Sequence, residues 1–266
     1  MEDEIGYLSH SSANSHCHKA VYWRKIQRIQ STVGPEACWG FGWEAACISI
    51  LRADGEDPHR LAEETATRHG VENKLDADAW SKFFDQRPAV MNCIENYPSF
   101  CSDLEYIAEQ TQISLQILGV ARPVTGFIDI EVKRHGHLTL VDCKRKSRKI
   151  QHVSVEYQRQ AALYALAIMH RDGLQSPPPF ELHVATCGSK PFVSIIPVEI
   201  TRGAASGAIQ SLKDYNYRID NNHWPRNMSS FLCSPKWCSF YSMCMEALKE
   251  EEQDALSTLW PDSTNW

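Results

Sequence analysis

The sequence predicts an α/β chain whose middle third builds a sheet with a helix packed on it. Three observations predict this. Between residues 113 and 146 three apolar-rich runs follow one another, ISLQILGV, TGFIDIEV and HLTLVDCK, separated by the turn signals ARP and KRHG. Runs of this length and residue type, punctuated in this way, read as strands of an antiparallel meander. Next, SVEYQRQAALYALAIMHRDG places apolar residues at helical spacing and ends on Gly, before the stiff loop QSPPPF. Two further strand candidates, FELHVATC and FVSIIPVEI, then follow, so the helix lies between strands.

The elements before the meander are predicted to be helical. After a polar start, HKAVYWRKIQRIQ alternates bulky and basic residues, and STVGPEACWGFGWEAACISILRADGEDP offers a helix of about four turns ending at Asp54-Gly55. Glu44 sits inside that apolar helix. HRLAEETATRHG and DADAWSKFFDQ continue in helical fashion, the Pro-bearing NYPSFCSD is a break, and a helix and connector are expected near residues 102–112. Residues 56–112 are therefore read as a helical insertion. After the last strand a polar helix is expected from about Ala204 to Asp220, and the chain closes with NHWPRNMSSFLCSPKWCSFYSMC and an acidic tail. There is no internal repeat.

Composition sets the bounds. A chain of 266 residues with 43% hydrophobic and 23% charged residues can bury a substantial core, and is expected to form one domain, 1–266, with an embellishment. Its start lacks the apolar core of a secretory signal, and no stretch approaches the roughly eighteen apolar residues of a membrane span. A soluble, cytoplasmic protein of a bacterial cell or virus-infected host is expected, with its ten cysteines as free thiols or metal ligands. A formal charge of −6 argues against a polycation that coats nucleic acid. KRKSRK, residues 144–149, is a local basic run that either meets phosphates or is a solvated charge run. No Walker-type phosphate loop is present, so any motor must be another chain.

Chemistry concentrates in two of the strands. In an extended strand alternate side chains share a face, so Asp142 and Lys144 project together while Cys143 points away. If the neighbouring strand brings Asp129 alongside, two carboxylates make a hard oxygen site suited to Mg²⁺ or Mn²⁺, and Glu44 could add a third. Such a set fits phosphodiester hydrolysis: the metal acidifies a water and offsets phosphate charge, while an ammonium positions or activates the attacking water. The plainer reading is an exposed ion pair at a strand end. In the helix that follows, Gln160 and Tyr164 stand four apart and lie on one face.

The series Glu44, Gly126-Phe-Ile-Asp129, Asp142-Cys-Lys144 and Gln160-x-x-x-Tyr164 resembles the RecB-like branch of the PD-(D/E)xK nucleases, over roughly residues 8–245. The resemblance implies a restriction-endonuclease-like mixed central sheet flanked by helices. It implies Asp129 and Asp142 as metal-binding acids, the Cys143 carbonyl as a further ligand, Lys144 as the catalytic lysine, and Gln160 and Tyr164 as accessory site residues. Gln158 lacks the four-residue step to Tyr164. Many RecB-like nucleases carry His in the first motif, where this chain has Glu44.

Cys233, Cys238 and Cys244 share one short aromatic-rich segment, and Cys17 lies near the other end of the chain. Four thiolates suit a [4Fe-4S] cluster or a structural zinc that staples the two ends together, and these spacings do not separate the metals. The resemblance implies iron: iron–sulfur members, including AddB-type subunits and CRISPR-adaptation exonucleases, share this one-plus-three order. Here the first C-terminal gap is wider than in many of them. Cys38 or Cys47 is the fallback fourth ligand; these two, with Cys93, Cys101, Cys143 and Cys187, are read as core or incidental. His10, His16 and His18 are read as ordinary residues of a polar segment. Trp224, Trp237, Phe240 and Tyr241 are expected to pack around the cysteines.

The expected function is a divalent-metal-dependent DNA nuclease, with a structural cluster. The resemblance implies an exonuclease acting on single-stranded ends in recombination, repair or replication, with a helicase or recombinase as partner. The alternatives are a noncatalytic DNA-binding or assembly module of the same fold, and a zinc-stapled endonuclease.

Overall fold

Five strands form one sheet in the order β1-β2-β3-β4-β5 in the computed structural model, which describes residues 5–31, 33–235 and 237–249. The acidic tail lies outside the described residues. The strands are β1 (Leu104–Leu115), β2 (Val124–Arg134), β3 (His137–Lys146), β4 (Phe180–Thr186) and β5 (Phe192–Val198). β1, β2 and β3 pair antiparallel, β3 pairs parallel to β4, and β4 pairs antiparallel to β5. A parallel pair requires a crossover, and the Ala- and Leu-rich helix α6 (Val155–Asp172) supplies it. The expected mixed sheet flanked by helices is what the chain forms.

Local chemistry explains the elements. The β2–β3 hairpin turns on His135-Gly136, both at positive φ (52° and 79°), the pairing of φ values that a type I′ turn demands. α6 starts where Ser154 accepts a hydrogen bond from Tyr157 N–H, carries Glu156 in its first turn and His170 and Arg171 in its last, and stops at Gly173 with φ 66°. Every residue of β4 is buried, as suits a central strand covered on both faces.

The chain divides into two compact units, residues 1–5, 15–32 and 218–266, and residues 6–14 and 33–217. The larger holds the sheet, α1 (His10–Ala13), α3 (Pro35–Arg52), α4 (Pro58–Glu72), α5 (Ala77–Asn96), α6 and most of α7 (Arg202–Asp220). α3 and α5 share a core with β2, β3, β4 and β5 that includes Trp39, Trp43, Phe83, Ile130, Val141 and Ala185. Both buried indoles satisfy their N–H groups, Trp39 on Phe83 O at 2.8 Å and Trp43 on His183 O at 3.1 Å. The smaller unit contains α2 (His18–Lys25) and a helical stretch at 241–249.

One expectation fails. Residues 102–112 are not a helix and connector; β1 begins at Leu104 and runs to Leu115, so the stretch 56–112 holds α4, α5, a 3-10 turn at Tyr97–Phe100 and then most of an edge strand. EYIAEQTQ is rich in residues that favour helix and carries polar groups at an edge, which masked its alternation; pairing with β2 overrides that local preference. A register shift between Tyr106 and Ala108 further breaks the two-residue period.

Candidate active site

The site lies where β2 and β3 part. Their ladder runs from Arg134↔His137 to Ile130↔Val141, after which β3 continues beside β4 as far as Lys146↔Thr186. A backbone N–H released at such a fork needs another acceptor. Cys143 N–H finds it in the Asp129 carboxylate, donating to Oδ2 at 2.7 Å. Asp129, from one strand, is thereby tied to the residue between Asp142 and Lys144 on the next.

Asp142 is 3% exposed and holds two partners. Lys144 Nζ stands 2.6 Å from its Oδ2, and Gln160 Nε2 donates to its Oδ1 at 3.0 Å. The buried Tyr164 lies beside Gln160, one turn further along α6. Gly126 explains how Tyr164 comes so near β2: a Cβ there would lie 3.3 Å from the ring's Cε1 and Oη. Glu44 arrives from α3 and accepts a hydrogen bond from Gln110 Nε2 of β1. The fold thus brings together Glu44, Asp129, Asp142, Lys144, Gln160 and Tyr164, which are scattered over more than a hundred residues of chain.

The electrostatics are those of crowded acids. Burial, then the Asp142 and Glu44 charges, push the Asp129 carboxyl up to about 8 against the pull of Lys144 and the Cys143 N–H. Burial and Asp142 likewise raise Glu44, with Lys144 and Gln110 opposing. Burial alone would lower the Lys144 ammonium, yet Asp142 and Asp129 outweigh it and hold the group above the usual lysine range. Three mutually repelling carboxylates beside one ammonium are an oxygen donor set that a hard divalent cation would relieve. Among the described residues no three His, Cys, Asp or Glu side chains stand ready as a ligand set. Gln110, Lys144 and Gln160 hold oxygens of Glu44 and Asp142 instead.

Three neighbours escaped the sequence reading. Gln110 falls between Glu109↔Ile130 and Thr111↔Ile128, opposite Asp129, with a left-handed φ of 46°. Its signal was lost with the misread strand. His10, read as an ordinary polar-segment residue, is 6% exposed with Nε2 lacking a hydrogen bond. Burial first, then Arg159 and Lys144, lower its imidazole to about 4. Arg159 itself bonds Asn14 Oδ1 and Ser211 Oγ, each at 3.3 Å. In the basic run, Lys146 Nζ lies 5.4 Å from the Tyr157 ring centroid, and Arg148 and Lys149 are exposed.

In the smaller unit, Cys17, Cys233, Cys238 and Cys244 line one small cavity together with Trp23 and Phe240. Burial, and then the other three sulfurs, raise the Cys233 thiol. Arg226 Nε donates to Cys244 Sγ at 3.3 Å. Cys38 and Cys47 belong to the core of the other unit, as buried free thiols.

A family model for the PD-(D/E)XK nuclease superfamily matches residues 49–245. No curated protein matches the chain. A solved structure from Eubacterium rectale, named "Putative exonuclease", superposes with a TM-score of 0.55 at 15% identity, covering 86% of this chain and 87% of its own. Another, of a protein named SSO0001, gives a TM-score of 0.45 at 12% identity, covering 92% of this chain and 88% of its own. At such identity the first likeness speaks for the fold alone, and the second carries no argument. The family match spans most of the chain, including the acids and lysine at the β2–β3 fork, and this chain belongs to the PD-(D/E)XK nuclease superfamily.

Proposed function

We propose that the chain is a divalent-metal-dependent exodeoxyribonuclease of the RecB-like, iron–sulfur branch, hydrolysing single-stranded DNA ends in recombination, repair or replication. The observation that carries the nuclease reading is the joining of Asp129, Asp142 and Lys144 at one strand fork, with Gln160 fixed on Asp142. Exonuclease action draws on the resemblance to RecB-like enzymes and on the name of the Eubacterium rectale protein.

Asp129, Asp142, Glu44 and the Cys143 carbonyl would hold Mg²⁺ or Mn²⁺, which supplies an acidified water and offsets phosphate charge. Lys144, held as an ammonium by Asp142 and Asp129, positions the attacking water and faces the phosphate's negative charge. Gln160 fixes the Asp142 carboxylate, and Tyr164 braces Gln160. Cys17, Cys233, Cys238 and Cys244 are read as ligands of a structural [4Fe-4S] cluster, with zinc as the alternative; iron and zinc content and visible absorbance of anaerobically purified protein separate the two. The whole chain is read as one nuclease domain, with α4 and α5 as its insertion. A helicase or recombinase would be its partner.

The test is digestion of end-labelled linear single-stranded DNA, with a closed circular control, in Mn²⁺ and in chelator, beside Asp142→Ala and Lys144→Ala. Metal-dependent loss of the linear DNA, circles spared, with both variants folded, DNA-binding and inactive, is the expected result. Nicked circles would move the reading to an endonuclease. Absence of cleavage by folded protein with any of several divalent metals, on DNA or RNA, would leave the noncatalytic DNA-binding module.

A further inference from the structure

Away from the site, two cysteines read from sequence as core or incidental come together in the larger unit. Cys93 lies on α5 and is fully buried; Cys187 directly follows β4 and is partly exposed. Their side chains are neighbours, since Cys93 approaches the carbonyl of Thr186, the residue that precedes Cys187. Cys93 Sγ lies 3.9 Å from Thr186 O and 3.6 Å from Phe192 O, and Cys187 Sγ lies 3.9 Å from Ala185 O. The Cys187 backbone is pinned to β3, donating its N–H to Lys146 O at 2.7 Å. Arg145, on β3, is the cation beside Cys187, and its buried Nε lacks a hydrogen bond.

This is the arrangement of a reactive thiol with a resolving thiol. The nucleophile in thiol chemistry is the thiolate, favoured by an adjacent cation and by partial exposure. Cys187 has both, with Cys93 as its neighbour; Cys93 and then Arg145 bring Cys187 down to about 7 against burial, while Cys93 is raised. Cys101, also partly exposed, is raised by burial to about 12, and its Sγ lies 3.4 Å from Tyr97 O.

We propose that Cys187 and Cys93 form an oxidisable dithiol, a modification site at which a hydroperoxide or an equivalent two-electron oxidant converts Cys187 to a sulfenic acid and Cys93 resolves it to a disulfide. In the first step the Cys187 sulfur attacks the O–O bond of the hydroperoxide. An S–O bond forms, the O–O bond breaks, the alcohol or water leaves with the thiol's proton, and sulfur is oxidised by two electrons. In the second the Cys93 sulfur attacks the sulfenic sulfur; an S–S bond forms and hydroxide leaves, taking the Cys93 proton as water. A dithiol reductant reverses the sequence. The bond would join the C-terminal end of β4 to α5, across the sheet neighbour of the strand that bears Asp142 and Lys144.

The experiment is exposure of the full-length protein to limiting hydrogen peroxide, isotope-coded alkylation before and after reduction, and peptide mapping by mass spectrometry, on wild type, Cys93→Ser and Cys187→Ser. The expected result is a Cys93–Cys187 linked peptide that dithiothreitol removes. Cys93→Ser should stop at a trappable Cys187 sulfenic acid, and Cys187→Ser should leave Cys93 a free thiol. Every cysteine is scored in the same map, so oxidation confined to other cysteines, or an unlinked Cys187 in wild type under conditions that oxidise them, would overturn the proposal. A Cys187→Ser variant that fails to fold is covered by the wild-type map, which decides alone.

Discussion

Gln160 Nε2 donates to Asp142 Oδ1 at 3.0 Å, while the opposite oxygen of that carboxylate faces Lys144 Nζ at 2.6 Å. The two contacts fix the plane of a buried carboxylate from two elements, α6 and β3 itself. A residue that orients a ligating carboxylate without touching the metal typically alters metal affinity or activity 10–100-fold, by order of magnitude.

Gln160→Ala should therefore lower kcat/KM for DNA cleavage by about 10–100-fold and weaken activation by Mn²⁺, with thermal stability nearly unchanged. Gln160→Glu should be worse, because it places a further negative charge against Asp142. Wild-type activity in both variants would remove Gln160 from the site. Metal titrations of the cleavage rate beside melting curves make the comparison.

Gln110 separates stability from function. It clamps Glu44 from a left-handed conformation, φ 46°, that costs a non-glycine residue about 1–2 kcal/mol. Gln110→Gly relieves that strain, offset by about 0.5–1 kcal/mol for glycine's freedom in the unfolded chain. Unfolding midpoints in urea should stay level or rise slightly while cleavage falls. Gln110→Ala should lose both.

Two glycines of α3 predict opposite signs. A Cβ on Gly42 would stand 2.6 Å from Ala62 O and 3.2 Å from Ala66 Cβ, on the backbone and a fixed methyl of α4, whereas a Cβ on Gly40 meets nothing within 4 Å. Gly42→Ala forces the helices apart and should lose roughly 1–3 kcal/mol, despite alanine's better helix propensity. Gly40→Ala should gain up to about 1 kcal/mol. Urea unfolding of the two variants tests the α3–α4 packing directly.

The strands bounded by turn chemistry were legible in the sequence, and two-residue alternation put Asp142 and Lys144 on one face, while Asp129 beside them rested on the motif series that resembles the RecB-like nucleases. The sequence could not show β1, whose polar edge residues imitate a helix until β2 is there to pair with them. Gln110 went with it. Nor could it show that Cys93 and Cys187 meet, since their contact depends on how α5 lies against the end of β4. His10 was obscure for another reason: its neighbourhood reads as polar linker, and burial beside Lys144 and Arg159 is a tertiary fact.

His10 sets a pH dependence of stability. Its imidazole is lowered to about 4 by burial, with Arg159 and then Lys144 adding to the effect. An unfolded histidine takes up a proton near its ordinary value of about 6.5, so below that pH the unfolded chain binds a proton that the folded one refuses. The stability associated with a neutral His10 is complete above about 6.5 and is lost as pH falls through about 4. The loss should be on the order of 1–3 kcal/mol between pH 7 and pH 4. The raised Asp129 and Glu44 carboxyls also titrate here and act with the opposite sign, so the imidazole's share is the difference between wild type and a variant that lacks it. His10→Gln keeps a polar side chain of similar reach without a titrating group and should flatten that part of the profile. Urea unfolding of wild type and variant at intervals between pH 7 and pH 4 measures it. Parallel profiles for the two proteins would show that His10 is protonated in the folded state as readily as in the unfolded one, and would remove it from the surroundings of Lys144.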